Sequence, residues 1–162
     1  MYLTNYPTYV SPAQYDSALA GMVERLKGQP GIISIYQLGS VSTPGVSDLD
    51  MLVLFEEGAE CHVDPLDALS KTDRYLFAHS PYGARLADFL DAQPYTIFHN
   101  YRHIWGRDAL GTQARAPREL PQTEYQRVET QVALEYLLKM YINVTVERAF
   151  GVIRVRSLLL LV

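Results

Sequence analysis

The first third of the chain carries the pattern of one helix followed by two strands. Apolar residues recur at three- and four-residue spacing over residues 12–27, which predicts an amphipathic helix. Ser11 and Pro12 are typical of the N-cap and first position of such a helix. Apolar, β-branched runs at residues 32–38 and 49–55 predict two strands. The second run is apolar at successive positions, so we expect it to lie inside a sheet with both faces covered.

The middle of the chain gives a weaker pattern. The predicted elements are, in order, a polar loop at 56–63, a short helix at 64–70, a helix at 81–92, a strand at 94–99 and a loop at 104–122. Residues 74–78 fit either an extension of the short helix or a strand, and the pattern leaves the two open. Ser80 and Pro81 repeat the N-cap and first-position pair at the start of the helix over residues 81–92.

The last third is predicted to be helical. A long helix is expected at 123–150, Gly151 breaks it, and a second apolar helix is expected at 152–162. The final apolar run has no polar cap, so we expect either that the chain is a fragment or that a helical C-terminal domain continues beyond it. Its apolar stripe needs a cover, and the candidates are the long helix, downstream helices, or a second copy in a homodimer formed through the C-terminal helices.

These elements predict an α/β (α+β) fold, a small mixed sheet with flanking helices followed by C-terminal helices. We expect one domain at residues 1–110 and a helical region at 120–162 that begins a further helical domain. The composition, 48% hydrophobic and 20% charged, is typical of a soluble globular protein. The single cysteine excludes a disulfide framework and favours the cytoplasm. The sequence has neither a secretory signal nor a run long enough for a membrane span, so no membrane partner is expected.

Charge is divided unevenly along the chain. Residues 1–60 carry two basic and seven acidic side chains, whereas residues 101–162 carry nine and six. The basic part could face an anionic ligand held beside it. Ordinary surface charge explains the same asymmetry, and the sequence leaves both open.

Two aspartates one residue apart, Asp48 and Asp50, open the second predicted strand. Residues i and i+2 of a strand point to one face, so we expect both carboxylates on one side, about 7 Å apart at Cα. Such a pair suits Mg²⁺, and two ions suit in-line displacement at phosphorus. Gly39 and Ser40 follow the preceding strand, where backbone N–H groups can bind a phosphate and glycine allows its close approach.

These residues resemble the signature of the polymerase-β-type nucleotidyltransferase superfamily. The matching stretch is "LGS" at Leu38–Ser40, a short loop, and "DLDM" at Asp48–Met51. The resemblance covers roughly residues 12–100. It implies Mg²⁺, as two ions with Mn²⁺ as an alternative, at Asp48 and Asp50, and contacts from Gly39 and Ser40 to the triphosphate.

The function implied is that of a transferase. It would move a nucleoside monophosphate from an NTP such as ATP to an acceptor and release pyrophosphate. The acceptor stays open between a small molecule, a protein hydroxyl and an RNA end. The alternative is a catalytically degenerate module that keeps the fold and binds a nucleotide or a partner protein.

The sequence departs from the family pattern in two places. Seven residues separate Ser40 from Asp48, a shorter loop than is usual in the family. The third carboxylate that the family carries on a later strand is missing from "PYTIFH" at 94–99. The candidates for that role are Asp73, Glu57 and Asp64. The plainest structural alternative is that Gly39-Ser40 is a turn and Asp48 a cap.

Two further groups of residues could carry chemistry. His99 and His103 have the i,i+4 spacing of helical zinc ligands, but no further ligand accompanies them. A loose basic run could contact a nucleotide or RNA, although a solvated loop is the favoured interpretation. That run consists of Arg102, His103, Arg107, Arg115 and Arg118.

Overall fold

The computed structural model describes residues 2–60, 64–67, 69–90, 101–111 and 122–159. These ranges form an α+β protein. The described strands are β1 (Tyr2–Thr4), β2 (Ile32–Leu38), β3 (Asp50–Phe55), β4 (Tyr82–Arg85), β5 (Tyr101–Gly106) and β6 (Val152–Arg154). The described helices are α1 (Pro12–Leu26), α2 (Lys71–Leu76), α3 (Leu86–Leu90), α4 (Gln122–Ala149) and α5 (Val155–Leu159).

The chain divides into two compact units. One is Val10–Ala116, and the other joins Met1–Tyr9 to Pro117–Val162. The first nine residues, which the sequence pattern assigned to the first domain, therefore group with the C-terminal elements.

The unit Val10–Ala116 is built on a mixed four-stranded sheet in the order β4-β3-β2-β5. β2 runs antiparallel to both β3 and β5, whereas β3 and β4 are parallel. Leu38, the last residue of β2, pairs with Asp50 on one side and Tyr101 on the other. The end of β2 and the starts of β3 and β5 therefore meet at one end of the sheet.

Both faces of this sheet are covered, which confirms the expectation for the second predicted strand. On one face α1 and α2 pack against the strands, and the buried residues include Leu19, Met22, Ile35, Leu49, Met51, Val53 and Leu76. On the other face the buried residues are Tyr36, Leu38, Leu52, Leu54, Phe89 and Leu110. Alternate residues of β2 and β3 supply the two cores because successive strand side chains point to opposite faces.

The predicted helix at 12–27 and the strand at 32–38 are confirmed, and the strand predicted at 49–55 begins one residue later. Ser11 has extended backbone and precedes Pro12, and its backbone N–H donates to Oε1 of Gln14 at 2.9 Å. This capping contact fixes the start of α1 locally, without help from the sheet.

The helix predicted at 81–92 is wrong over its first half. Tyr82–Arg85 instead forms β4, in register with Leu52–Phe55 of β3. Tyr82 and Ala84 pack onto the core of that face. A Cβ at Gly83 would approach the Phe55 ring to 3.3 Å, so the small residue suits the close strand pairing. Helix α3 begins only at Leu86.

The short helix predicted at 64–70 is also wrong. Asp64 accepts a hydrogen bond from the backbone N–H of Leu66 at 2.9 Å, and turns occupy residues 65–67. An aspartate that caps its own turn in this way competes with helix formation. The helix is α2, which starts after Ser70, so the open segment 74–78 is helical as far as Leu76.

The loop predicted at 104–122 is wrong at its beginning. Residues up to Gly106 belong to β5, which pairs along the free edge of β2. Residues 107–111 form an irregular segment, and the rest of that prediction lies largely outside the described residues. The strand predicted at 94–99 also lies outside them.

The C-terminal unit contains the long helix that the sequence predicts, α4, close to its expected limits. The single helix predicted at 152–162 is wrong, because Val152–Arg154 forms β6 and pairs in parallel with β1. α4 exposes many large apolar side chains, namely Leu134, Tyr136, Leu137, Leu138, Tyr141, Ile142 and Val146. Even so, no helix in the described ranges is long and apolar enough to cross a membrane.

Candidate functional site

The two predicted carboxylates lie where β3 begins. Asp50 is the first residue of β3 and sits directly opposite Leu38. Leu49 belongs to the core beside α1 and Leu52 to the opposite core, so strand alternation places Asp50 on the face away from α1. Asp48 precedes the strand, in the loop, and both aspartates are half-buried. The strand rule that predicted a shared face therefore applies to Asp50 alone.

The charges of the two aspartates nevertheless interact. The pKa of Asp50 is raised above its ordinary value, first by burial and then by the negative charge of Asp48. Interaction with His79 acts in the opposite direction and lowers it. The two carboxylates are thus close enough to repel one another, and a bound cation would relieve that repulsion.

His79 is the side-chain partner of Asp50 that the sequence analysis missed. Its Nε2 lies 2.8 Å from Oδ1 of Asp50. The imidazole ring packs on Tyr82, with ring centroids 4.6 Å apart, and its Nδ1 lies 2.7 Å from the carbonyl oxygen of Ser80. His79 comes just before β4, whose parallel pairing with β3 brings the starts of both strands to one end of the sheet. Interpreting residues 82–85 as a strand would have indicated this contact.

Gly39 and Ser40 continue from β2 at the same end of the sheet. Gly39 has a φ of +63°, a conformation that favours glycine, and a Cβ built there would meet no atom within 4 Å. Both residues are exposed, and both line a cavity of about 320 Å³. Leu19 and Leu49 also line that cavity, which therefore opens on the α1 face. Asp48 and Asp50 are not among its lining residues.

The loop between Ser40 and Asp48 is held by Tyr15 of α1. The Tyr15 hydroxyl donates to the carbonyl oxygen of Ser47 at 2.7 Å and accepts from the backbone N–H of Gly45 at 3.0 Å. Ser47 also accepts from the backbone N–H of Thr43 at 3.0 Å through its hydroxyl. A buried tyrosine on the first helix thus fixes the segment that leads into Asp48.

The three candidates for a third carboxylate are each engaged elsewhere. Asp73 accepts from the Ser70 hydroxyl at 2.7 Å and so belongs to the cap of α2. Glu57 pairs with Arg85 at 2.7 Å, and Asp64 caps its own turn. Within the described ranges, no three histidine, cysteine, aspartate or glutamate side chains are grouped so that they could hold a metal ion.

The alternative sites from the sequence are only partly within the described residues. His103 lies on β5 against Tyr36, with ring centroids 5.3 Å apart, while its predicted zinc partner His99 lies outside the described ranges. Arg102 donates to Gln37 at 2.6 Å across the β2–β5 pairing. Arg115 and Arg118 lie outside the described ranges, so the basic run stays a prediction.

Comparison of the chain with family models, with curated proteins and with solved structures gave no match. The chemistry of the site therefore rests on its own residues. Two mutually repelling carboxylates can bind a divalent cation, and an exposed glycine-serine turn beside them can bind an anion. Together they could accommodate a cation and a phosphate chain at one end of the sheet.

Proposed function

We propose that this chain is a nucleotidyltransferase, which moves a nucleoside monophosphate from an NTP to an acceptor and releases pyrophosphate. One observation carries the proposal: Asp50 lies directly opposite Leu38, the residue that precedes Gly39-Ser40, and Asp48 is near enough to raise its pKa. A pair of carboxylates and an exposed glycine-serine turn therefore adjoin one another at the end of β2.

The donor set of the aspartate pair fits Mg²⁺. Carboxylate oxygens are the ligands that this ion prefers, and it takes its remaining ligands from water and substrate phosphates. Asp48 and Asp50 would hold one or two Mg²⁺ or Mn²⁺ ions, which would neutralise charge on the triphosphate. The pKa of Asp50 is raised first by burial and then by the charge of Asp48, and a cation between the carboxylates would offset both effects, which supports this proposal.

The turn at Gly39-Ser40 would hold the triphosphate. Gly39 leaves open space where a side chain would stand, and the Ser40 hydroxyl is exposed and has no hydrogen-bond partner in the described part of the chain. Tyr15 would keep the following loop in place through its two hydrogen bonds. Catalysis of this kind depends chiefly on position and charge neutralisation.

The polymerase-β-type nucleotidyltransferase superfamily is the proposed family. Supporting features are the signature residues, a helix preceding the first sheet strand, and the antiparallel pairing of the two strands that carry the signature. On this proposal the acceptor is a small molecule, a protein hydroxyl or an RNA end, and the protein acts in the cytoplasm.

A second candidate function is a catalytically degenerate module that binds a nucleotide or a partner protein. His79 favours it, because its Nε2 lies 2.8 Å from Oδ1 of Asp50 and so takes up a position where a metal ion would bind that oxygen. A family enzyme would use a third carboxylate for metal binding and proton acceptance. A histidine beside Asp50 would supply neither a negative charge nor a ligand oxygen.

Labelling with radioactive NTPs separates the two functions. We expect label from the α-phosphate, but not from the γ-phosphate, to reach a small molecule, RNA or protein in the presence of Mg²⁺ or Mn²⁺. The double variant Asp48→Asn with Asp50→Asn should lose the transfer, whereas Asp67→Asn, an exposed carboxylate elsewhere, should keep it. NTP binding without transfer would favour the second function, and neither binding nor transfer would contradict both.

Self-association through the C-terminal helices is the proposed oligomeric state. The exposed apolar side chains of α4 lose contact with water if a second copy covers them. We expect sizing measurements to show a mass that rises with concentration. Leu138→Lys with Tyr141→Lys should reduce this rise, and removing residues 152–162 should also weaken it, whereas Gln131→Lys should not. A strictly monomeric intact chain at all concentrations would contradict the proposal.

A further inference from the structure

The cavity on the α1 face is lined by polar groups that have no full set of partners among the described residues. Its lining includes Gln37, Ser40 and Arg102 on the strand side and Asp16 on the helix side. Its volume of about 320 Å³ lies at the lower end of the range for small-molecule sites, roughly 300–1,000 Å³. The space is therefore suited to a metabolite rather than to a polymer.

Three hydrogen-bond donors converge on this cavity. The Arg102 guanidinium donates to Oε1 of Gln37 through one nitrogen, and its other N–H groups have no partner among the described residues. The amide nitrogen of Gln37 and the hydroxyl of Ser40 are likewise without a partner in the described part of the chain. Gln37 is 7% exposed and lines the cavity, so a ligand there can accept from its amide group.

Asp16 provides a carboxylate acceptor at the same cavity. Asp16 is exposed on α1, lines the cavity, and makes no hydrogen bond or ion pair within the described ranges. The cavity is also lined by the apolar side chains of Leu19, Val41 and Leu49. A charged donor, a charged acceptor and an apolar wall thus share one small space.

We propose that this cavity binds a small zwitterion of the amino-acid class with an apolar side chain. Arg102, Gln37 and Ser40 would hold its carboxylate, since guanidinium groups bind carboxylates with charge-assisted hydrogen bonds. Asp16 would hold its ammonium group, and the apolar wall would take its side chain. A triphosphate fits poorly inside the cavity, because Arg102 is the one cation among the described residues that line it and Asp16 would repel further negative charge.

This site overlaps the proposed nucleotide site at Gly39 and Ser40, whereas its other lining residues play no part in that site. The cavity opens on the α1 face, whereas Asp50 belongs to the opposite face of the sheet. The inference therefore does not rest on the proposed function. The double variant Asp48→Asn with Asp50→Asn should bind the zwitterion as the native chain does, whatever happens to nucleotide binding.

Calorimetry with three related probes tests the proposal. L-leucine carries both charges, 4-methylpentanoate lacks the ammonium group, and 3-methylbutylamine lacks the carboxylate. We expect L-leucine to bind the intact chain most tightly and each analogue to bind about tenfold more weakly or worse, since each loses a charge-assisted hydrogen bond. Absence of leucine binding, or equal binding of all three, would overturn the proposal.

Two exposed positions supply the variants. Arg102→Gln should weaken both L-leucine and 4-methylpentanoate by about tenfold or more, whereas Asp16→Asn should weaken L-leucine and leave 4-methylpentanoate unchanged. Arg107→Gln and Asp67→Asn are matched controls that do not line the cavity and should change neither. Circular dichroism checks that each variant is folded. If Asp16→Asn and Arg102→Gln weaken all probes alike, the assignment of one charge to each residue is wrong.

Discussion

Replacing both aspartates, Asp48→Asn with Asp50→Asn, is expected to abolish Mg²⁺-dependent nucleotide binding. Two neutral amides cannot offset the charge of the ion, and the triphosphate loses its bridge to the protein. We expect the affinity for ATP with Mg²⁺ to fall by about 100-fold or more, equivalent to about 2.7 kcal/mol. Calorimetric titration with ATP, with Mg²⁺ present or chelated, measures this loss. The intact chain should resemble the variant once Mg²⁺ is chelated.

The same variant is expected to fold at least as stably as the native chain at neutral pH. Burial and the Asp48 charge raise the pKa of Asp50 in the folded state above its ordinary value of 3.8. Ionisation of Asp50 therefore opposes folding, and its contribution to the free energy of unfolding falls as pH rises from near 3.8 through the raised pKa. Asparagine removes that penalty. A variant that fails to fold would instead indicate a structural role for the pair.

Replacing Gly106 by alanine is expected to cause the largest loss of stability. Gly106 has a φ of +84°, and an added Cβ would lie 2.2 Å from the backbone oxygen of Ile33. Backbone strain and overpacking together should lower the free energy of unfolding by about 3 kcal/mol or more. We expect the pairing of β5 with β2 to be weakened most, because Gly106 lies opposite Ser34 of β2.

A matched substitution isolates the steric part of this effect. Gly58 has a similar φ of +74°, but a Cβ there would meet no atom within 4 Å. Gly58→Ala should therefore carry the backbone strain alone and cost about 1 kcal/mol. Urea unfolding of both variants gives the comparison. Equal losses would show that the close approach of Gly106 to β2 is unimportant.

The elements that the sequence predicts well are those with strong local signals. α1 has a capping serine, a proline at its first position and a regular apolar stripe. α4 is predicted because its helical pattern is long, 28 residues in the structure. β2 and β3 are apolar runs buried on both faces. In each case the residues favour the same structure locally as they adopt in the fold.

The elements that the sequence misses depend on partners far along the chain. Tyr82–Arg85 follows a good helix start, yet it is a strand because the free edge of β3 offers hydrogen bonds. β5 completes the other edge of the sheet beside β2. β1 and β6 have three residues each. They pair with one another although they lie about 150 residues apart in the sequence. No local window contains that information.

The candidate site follows the same division. The sequence by itself predicts which residues would hold a cation and a phosphate, namely Asp48, Asp50, Gly39 and Ser40, because that prediction needs only residue type and spacing within one short stretch. Only the tertiary structure decided what surrounds them. It brought His79 to Asp50 through the parallel pairing of β4, and it placed Asp16 of α1 across a cavity from Arg102 of β5. Strand pairing and helix packing join residues that are distant in sequence, so their neighbours are a property of the fold rather than of any local pattern.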